Sequence, residues 1–224
     1  MGSTLVRVIG AQAGIATLAA AWLMRSRKLD VEITSVPTAQ ALTAQHTVRA
    51  ANSIISASNS YGFVCTPSVD PLAPGMPRSK GGVDCRIMDL HRISEAALEF
   101  GLVSRSFTRK ATSLREHGQC TIAFHDPRAS GENGYCVLTG NVRECTDQQE
   151  RKRLWKPSWS FFHPQAAEEV VVWRFTPMRV ELVAHSHAIS DDWAPVTMHR
   201  GAEDRWHLLP RRRDRLAHNA EAKG

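Results

Sequence analysis

The stretch that most constrains this chain runs from Leu98 to Asp126, LEFGLVSRSFTRKATSLREHGQCTIAFHD. Leu98, Phe100, Leu102 and Ser104 alternate with Glu99, Gly101 and Val103, which predicts a partly buried strand. Three cations and three hydroxyls then fall within Ser104–Lys110. Ala111–Glu116 reads as a short helix with Thr108 at its N-cap, and Gly118 ends it. The apolar run Cys120–Phe124 predicts a second strand. Free amides at such a helix start, with Arg109 and Lys110 beside them, suit a phosphate. The residues alone leave two readings, an anion pocket between two strands or a solvated basic turn.

The order of these pieces resembles the FMN-binding split barrels related to pyridoxamine-phosphate oxidase, and within them the small general-stress flavin-binding members. The matching residues are Ser104, Thr108-Arg109-Lys110, Thr121–Pro127 and Gly134–Gly140, then Leu154-Trp155, Trp159 and Pro177–Glu181. The likeness covers residues 45 to 210. It implies a mainly β chain with flanking helices (α+β), built as a six-stranded antiparallel split β-barrel, with FMN as cofactor. It also implies a flavin placed at a homodimer interface.

Carried over residue by residue, the resemblance gives a phosphate grip of Lys80, Arg109 and Lys110, with Ser104 and Thr108 donating hydrogen bonds. Lys80 is reached by aligning Gly75-x-Pro77 on the family's first hairpin, where an Arg of the next strand meets the phosphate. Lys binds phosphate as a point charge rather than a fork. Tyr135 stands near a Gln that touches the flavin ring in the vitamin oxidases, and is expected to stack or donate. The aromatic cluster Trp155, Trp159, Phe161 and Phe162 reads either as core or as a wall for that ring. Val183 replaces a Trp of the vitamin oxidases, and Arg200 and His207 lack the spacing of their substrate motif, so vitamin oxidation is not expected. No side chain is an evident general base. A flavin-dependent oxidoreductase of unknown substrate is the reading that follows.

Two other classes compete: a non-catalytic accessory subunit of a membrane complex, and a haem-binding barrel using His185 or His187 on a presumed strand. Two histidines without a third ligand do not define a metal site. No nucleic-acid motif occurs, although the net charge is +6 and the pI about 9.4. The cysteine count is odd, 5, and without C-x-x-C it signals neither zinc nor a disulfide framework. Four of the five lie in apolar or strand-like runs, which reads as buried free thiols and favours a reducing or matrix-like compartment.

Residues 1–30 form the first of three expected segments, an apolar N-terminal helix. Val8–Met24 is an uncharged run at the lower limit for crossing a bilayer, with Gly10-x-x-x-Gly14 inside it and Trp22 near its end. Arg25, Arg27 and Lys28 follow it, which places the body of the protein on the cytosolic or matrix side, for instance at the mitochondrial inner membrane. A secretory signal, a transit segment and a soluble helix packed on the barrel are the alternatives, and the first has the heavier positive charge on the wrong flank. Residues 31–210 are the expected barrel domain and 211–224 a basic, polar tail.

Overall fold

The computed structural model describes residues 42–68, 82–127, 134–163, 169–189 and 194–210. Helix α1 (Ala44–Ala57) begins where the Thr43 hydroxyl accepts the His46 backbone N–H at 3.1 Å; the sequence also offers Thr38, after Pro37, as a cap for a helix running to about Ser56, and Thr38 lies outside the described residues. It buries Thr47, Ala50, Ala51, Ile54 and Ile55.

Nine strands follow: β1 (Tyr61–Pro67), β2 (Val83–Asp89), β3 (His91–Ser94), β4 (Glu99–Arg105), β5 (Gln119–His125), β6 (Tyr135–Glu144), β7 (Val170–Val183), β8 (Val196–Arg200) and β9 (Trp206–Leu208). Six were expected. Between them lie α2 (Arg109–His117), α3 (Gln148–Leu154) and α4 (Trp159–Phe162). The hydrogen-bonded order is β2-β1-β5-β6-β7-β4-β3, with β8 on β7 and β9 on β8, and every pairing is antiparallel. β2 and β3 therefore stand at opposite ends of the sheet, yet Leu90 alone joins them. Two Cα steps of about 3.8 Å cannot bridge an open seven-strand sheet. The sheet must curl until its ends meet, which makes a barrel.

The barrel is split because β3 pairs with β4 through His91↔Gly101 and Arg92↔Phe100, while β2 pairs with β1. The α3–α4 connection is held at the split. Lys156 Nζ reaches Asp89 Oδ1 at 2.5 Å, the Trp159 indole N–H donates to Asp89 Oδ2 at 3.0 Å, and the His91 ring meets the Leu154 carbonyl at 3.0 Å. This is why β4 is buried on both faces rather than alternating with solvent. One face joins the main core with Phe100, Leu102, Trp173 and Phe175. The other meets Leu154 and Trp159 through Val103.

The sequence presents Val170–Phe175 and Met178–Val183 as two β-prone runs separated by Pro177, and in the structure they are one strand, β7. Its register on β6 shifts between Thr139↔Arg179 and Gly140↔Pro177. A bulge is where a proline can sit in a strand. Gly140 is required opposite it, since a Cβ there would lie 2.2 Å from the Thr176 carbonyl oxygen. His185 and His187 are on a short 3-10 turn instead of a strand. The chain reverses there through Ala188 in the left-handed region and an Ala184↔Ile189 bridge.

The fold is thus mostly antiparallel β with a few helices. Among the described residues no helix is long and apolar enough to cross a membrane. The run Val8–Met24, the segment 1–30 and the tail 211–224 lie outside the described residues.

Candidate functional site

Helix α2 forms as expected from its ends. The Thr108 hydroxyl accepts the Ala111 N–H at 3.3 Å and donates to the Arg105 carbonyl at 2.8 Å. Gly118, at φ 61°, ends the helix in the left-handed conformation. With no acid in its first turn, the helix start keeps its positive potential. Arg109 is exposed and Lys110 half-buried there.

The cation that acts on Lys110 is Arg86, which the resemblance does not name. Arg86 of β2 alternates with the exposed Cys85 and Ile87, so it points to the other side of its strand. Burial, and then the Arg86 guanidinium, push the Lys110 ammonium down to about 8. Arg86 reaches Asp84 at 3.6 Å through Nη2, but its Nη1 is buried without a hydrogen-bond partner. The hydroxyl of Thr66, the cross-strand partner of Asp84, is buried in the same condition. Buried polar groups normally find partners, and these two donors lack one among the described residues.

Arg105 extends the cationic group, and His163 stands beside it as a neutral imidazole. His163 is held below the usual imidazole range by burial first, then by Arg105 and Lys110. Aromatic rings stand next to these cations. Phe107 lies under the Arg105 guanidinium at 6.0 Å and is 69% exposed. Phe161 and Phe162 meet edge to face just before His163 and are 85% and 65% exposed. The expected aromatic cluster is therefore divided. Trp159 is core, packed against Trp155, and the two phenylalanines are surface.

The remaining expected site residues are dispersed. Ser104 is buried, and its hydroxyl accepts the Trp173 indole N–H at 2.9 Å. Tyr135 pairs with His125 and Val183. Its strand meets the α2 end of the barrel at Asn141↔Gln119, roughly 20 Å along β6 at 3.3 Å per residue. There its hydroxyl donates to Glu181 at 3.3 Å, and burial followed by Glu181 pushes its pKa up. Lys80 lies outside the described residues. The structure brings together Arg86, Arg105, Lys110 and His163.

No protein-family model and no curated protein matches this sequence. Solved structures do match its fold. A Clostridium acetobutylicum protein related to general stress protein 26, of the pyridoxinephosphate oxidase family, has TM-score 0.50 at 16% identity over 64% of this chain and 92% of its own. A pyridoxamine 5'-phosphate oxidase-related, FMN-binding protein from Nostoc punctiforme has TM-score 0.49 at 12% identity, covering 76% and 98%. General stress protein 26 from Bacillus anthracis has TM-score 0.47 at 11% identity, covering 73% and 99%. The resemblance read from the sequence is thus met at the level of fold: the chain is folded like the pyridoxamine-phosphate-oxidase-like split barrels.

Proposed function

We propose that the chain binds FMN and holds its phosphate between Arg86 and Lys110. The observation that carries this reading is the buried Arg86 Nη1 without an acceptor beside a desolvated ammonium. A half-buried ammonium with a second cation near enough to repel it is unfavourable until an anion neutralises them. Arg105 and Lys110 both act on His163, and the start of α2 adds its backbone amides to the same reading. Phe107, Phe161 and Phe162 offer apolar surface for a flat ring next to it. Flavin, when bound, supplies hydride and electron transfer, and the substrate oxidised or reduced is a further part of the proposal. The protein's own residues bind and orient, and none is placed as a general base.

The homodimer belongs to the same reading. No particular face of the barrel is assigned to it, and the outward side of β1 and β2 is taken as open to solvent. The tether assigned to residues 8–24 rests on the sequence run alone. Membrane fractionation of the full chain against a chain starting at Leu42 tests it.

FMN titration, followed by quenching of flavin fluorescence, tests the central claim. The pH profile carries the sign. Lys110 binds anions when protonated, and a bound phosphate raises its pKa above the free value near 8. Affinity is therefore insensitive to Lys110 below that pH. It falls by up to about tenfold per pH unit above it, until the pKa of the complex is reached. Below about pH 6 it also falls as the phosphate monoester takes up a proton. A flat profile from pH 7 to 9.5 contradicts the role of Lys110, and absence of quenching contradicts flavin binding.

A further inference from the structure

Of the five cysteines, Cys120, Cys136 and Cys145 are buried as expected, but Cys65 and Cys85 are not. They face each other across β1 and β2 on the outward side of the sheet. The Ser68 N–H donates to the Gly82 carbonyl at 2.8 Å, and the Leu90 N–H to the Ser60 carbonyl at 3.1 Å. These two pairs bracket the ladder as hydrogen-bonded rungs in one unbroken register. Rungs alternate in an antiparallel ladder, so Cys65↔Cys85, three rungs from one bracket and five from the other, is a non-hydrogen-bonded pair. In such pairs the Cα atoms approach to about 4.5 Å and the side chains lie closest. That falls inside the range of about 4.4–6.8 Å that a disulfide spans. The two Sγ atoms are already 2.8 Å apart.

We propose that Cys65 and Cys85 are a reversible thiol pair that a small-molecule disulfide closes into a cross-strand disulfide. Cys85 is exposed and reacts first. Its thiolate attacks one sulfur of the oxidant, a mixed disulfide forms, and one small thiolate leaves. The Cys65 sulfur then attacks Cys85 Sγ, the protein S–S bond forms, and the second small thiolate leaves. The protein loses two protons and two electrons, and the oxidant is reduced to two thiols. Cys65 suits the second role. Burial, then the neighbouring Cys85, push its thiol up to about 11, so it is a poor first nucleophile but sits against the sulfur it must attack. The pair joins positions 20 apart in the sequence and clamps the strands whose other side carries Thr66 and Arg86. The inference stands on register and does not require the flavin reading.

The test uses the full chain, reduced, desalted and then equilibrated with glutathione disulfide. The expected product has lost two hydrogens and retains no glutathione. After trypsin, which cuts at Arg78 and Lys80 between the two cysteines, it gives one non-reduced peptide pair joining Cys65 to Cys85. Its melting temperature rises by several degrees and returns on reduction, as for a cross-link that restricts the unfolded chain. Cys65→Ser should instead stop at one glutathione on Cys85. Recovery of both thiols in the free state overturns the proposal. So does a link between two copies of the chain, or a link involving any buried cysteine. The peptide map of the unsubstituted protein decides, whether or not the variant folds.

Discussion

Replacing Arg86 with alanine and Lys110 with methionine together should weaken FMN binding by about a thousandfold, and Lys110→Met alone should make the free protein more stable. A hydrogen bond to a charged group contributes about 1.5–3 kcal/mol. Each loss is thus about ten- to a hundredfold in affinity, and the two combine with some coupling because both touch one anion. The stability effect runs the other way. The folded protein holds Lys110 near 8, below its unfolded value of 10.5. Below pH 8 the group is charged in both states and the folded state carries the cost of burying it beside Arg86. Between pH 8 and 10.5 the folded state sheds that proton and the unfolded state keeps it, so the cost fades. The advantage of Lys110→Met in thermal unfolding should therefore be full at pH 7 and shrink as pH rises through that window. Opposite signs in binding and stability are the signature of a site held ready for a ligand. A variant that loses both has merely disturbed α2, and one that keeps FMN affinity within twofold removes Lys110 from the site.

What the sequence disclosed about this site follows from the range of the forces involved. The cap at Thr108, the stop at Gly118 and the bulge at Gly140 depend on one hydroxyl or one missing Cβ, and all three are legible locally. Helix α3 begins in the same way, where the Asp147 carboxylate accepts the Glu150 N–H at 2.8 Å. Arg86 was not legible. Alternation says which side of β2 it leaves from, but only the curl of the barrel brings it to Lys110, and anchoring the strand on Gly75-x-Pro77 directed attention to Lys80. The thiol pair was hidden for a related reason: Cys65 and Cys85 become partners through a register that no residue between them announces. β3, β8 and β9, of three to five residues each, fall below the length at which periodicity speaks. Pro177 divided β7 on paper, because a proline inside a strand argues against a strand until a bulge is known to lie opposite. Glu99 is illegible for the same reason as Arg86: alternation with Phe100 puts its carboxylate on the other side of the strand, and only the packing there leaves it 7% exposed.

That buried carboxylate supports the second large expectation: Glu99→Gln should cost about 3–5 kcal/mol of folding stability at pH 7, a large share of a typical domain's 5–15. Glu99 Oε2 accepts from Arg174 Nη2 at 2.6 Å and Oε1 from Arg200 Nη1 at 3.1 Å. The two arginines fare differently without it. Arg174 is one-third exposed and keeps Glu150 at 3.2 Å. The Arg200 side chain is 6% exposed, and its other ion-pair partner is Asp204, which is 82% exposed and 3.2 Å away. Removing the Glu99 charge thus leaves a buried guanidinium facing a neutral amide. Glu150→Gln is the contrasting case. Glu150 bridges Arg143 and Arg174 nearer the surface, where ion pairs contribute about 0–1 kcal/mol. Urea midpoints of the two variants should accordingly differ by several kcal/mol on conversion with a common slope. A further variant separates charge burial from packing. Glu99→Leu combined with Arg200→Met removes both buried charges and should recover most of what Glu99→Gln loses, since apolar replacements of a buried pair are often neutral. If Glu99→Gln unfolds within 1 kcal/mol of the unsubstituted chain, Arg200 has reached water and the barrel end formed by β4, β7 and β8 is open to solvent.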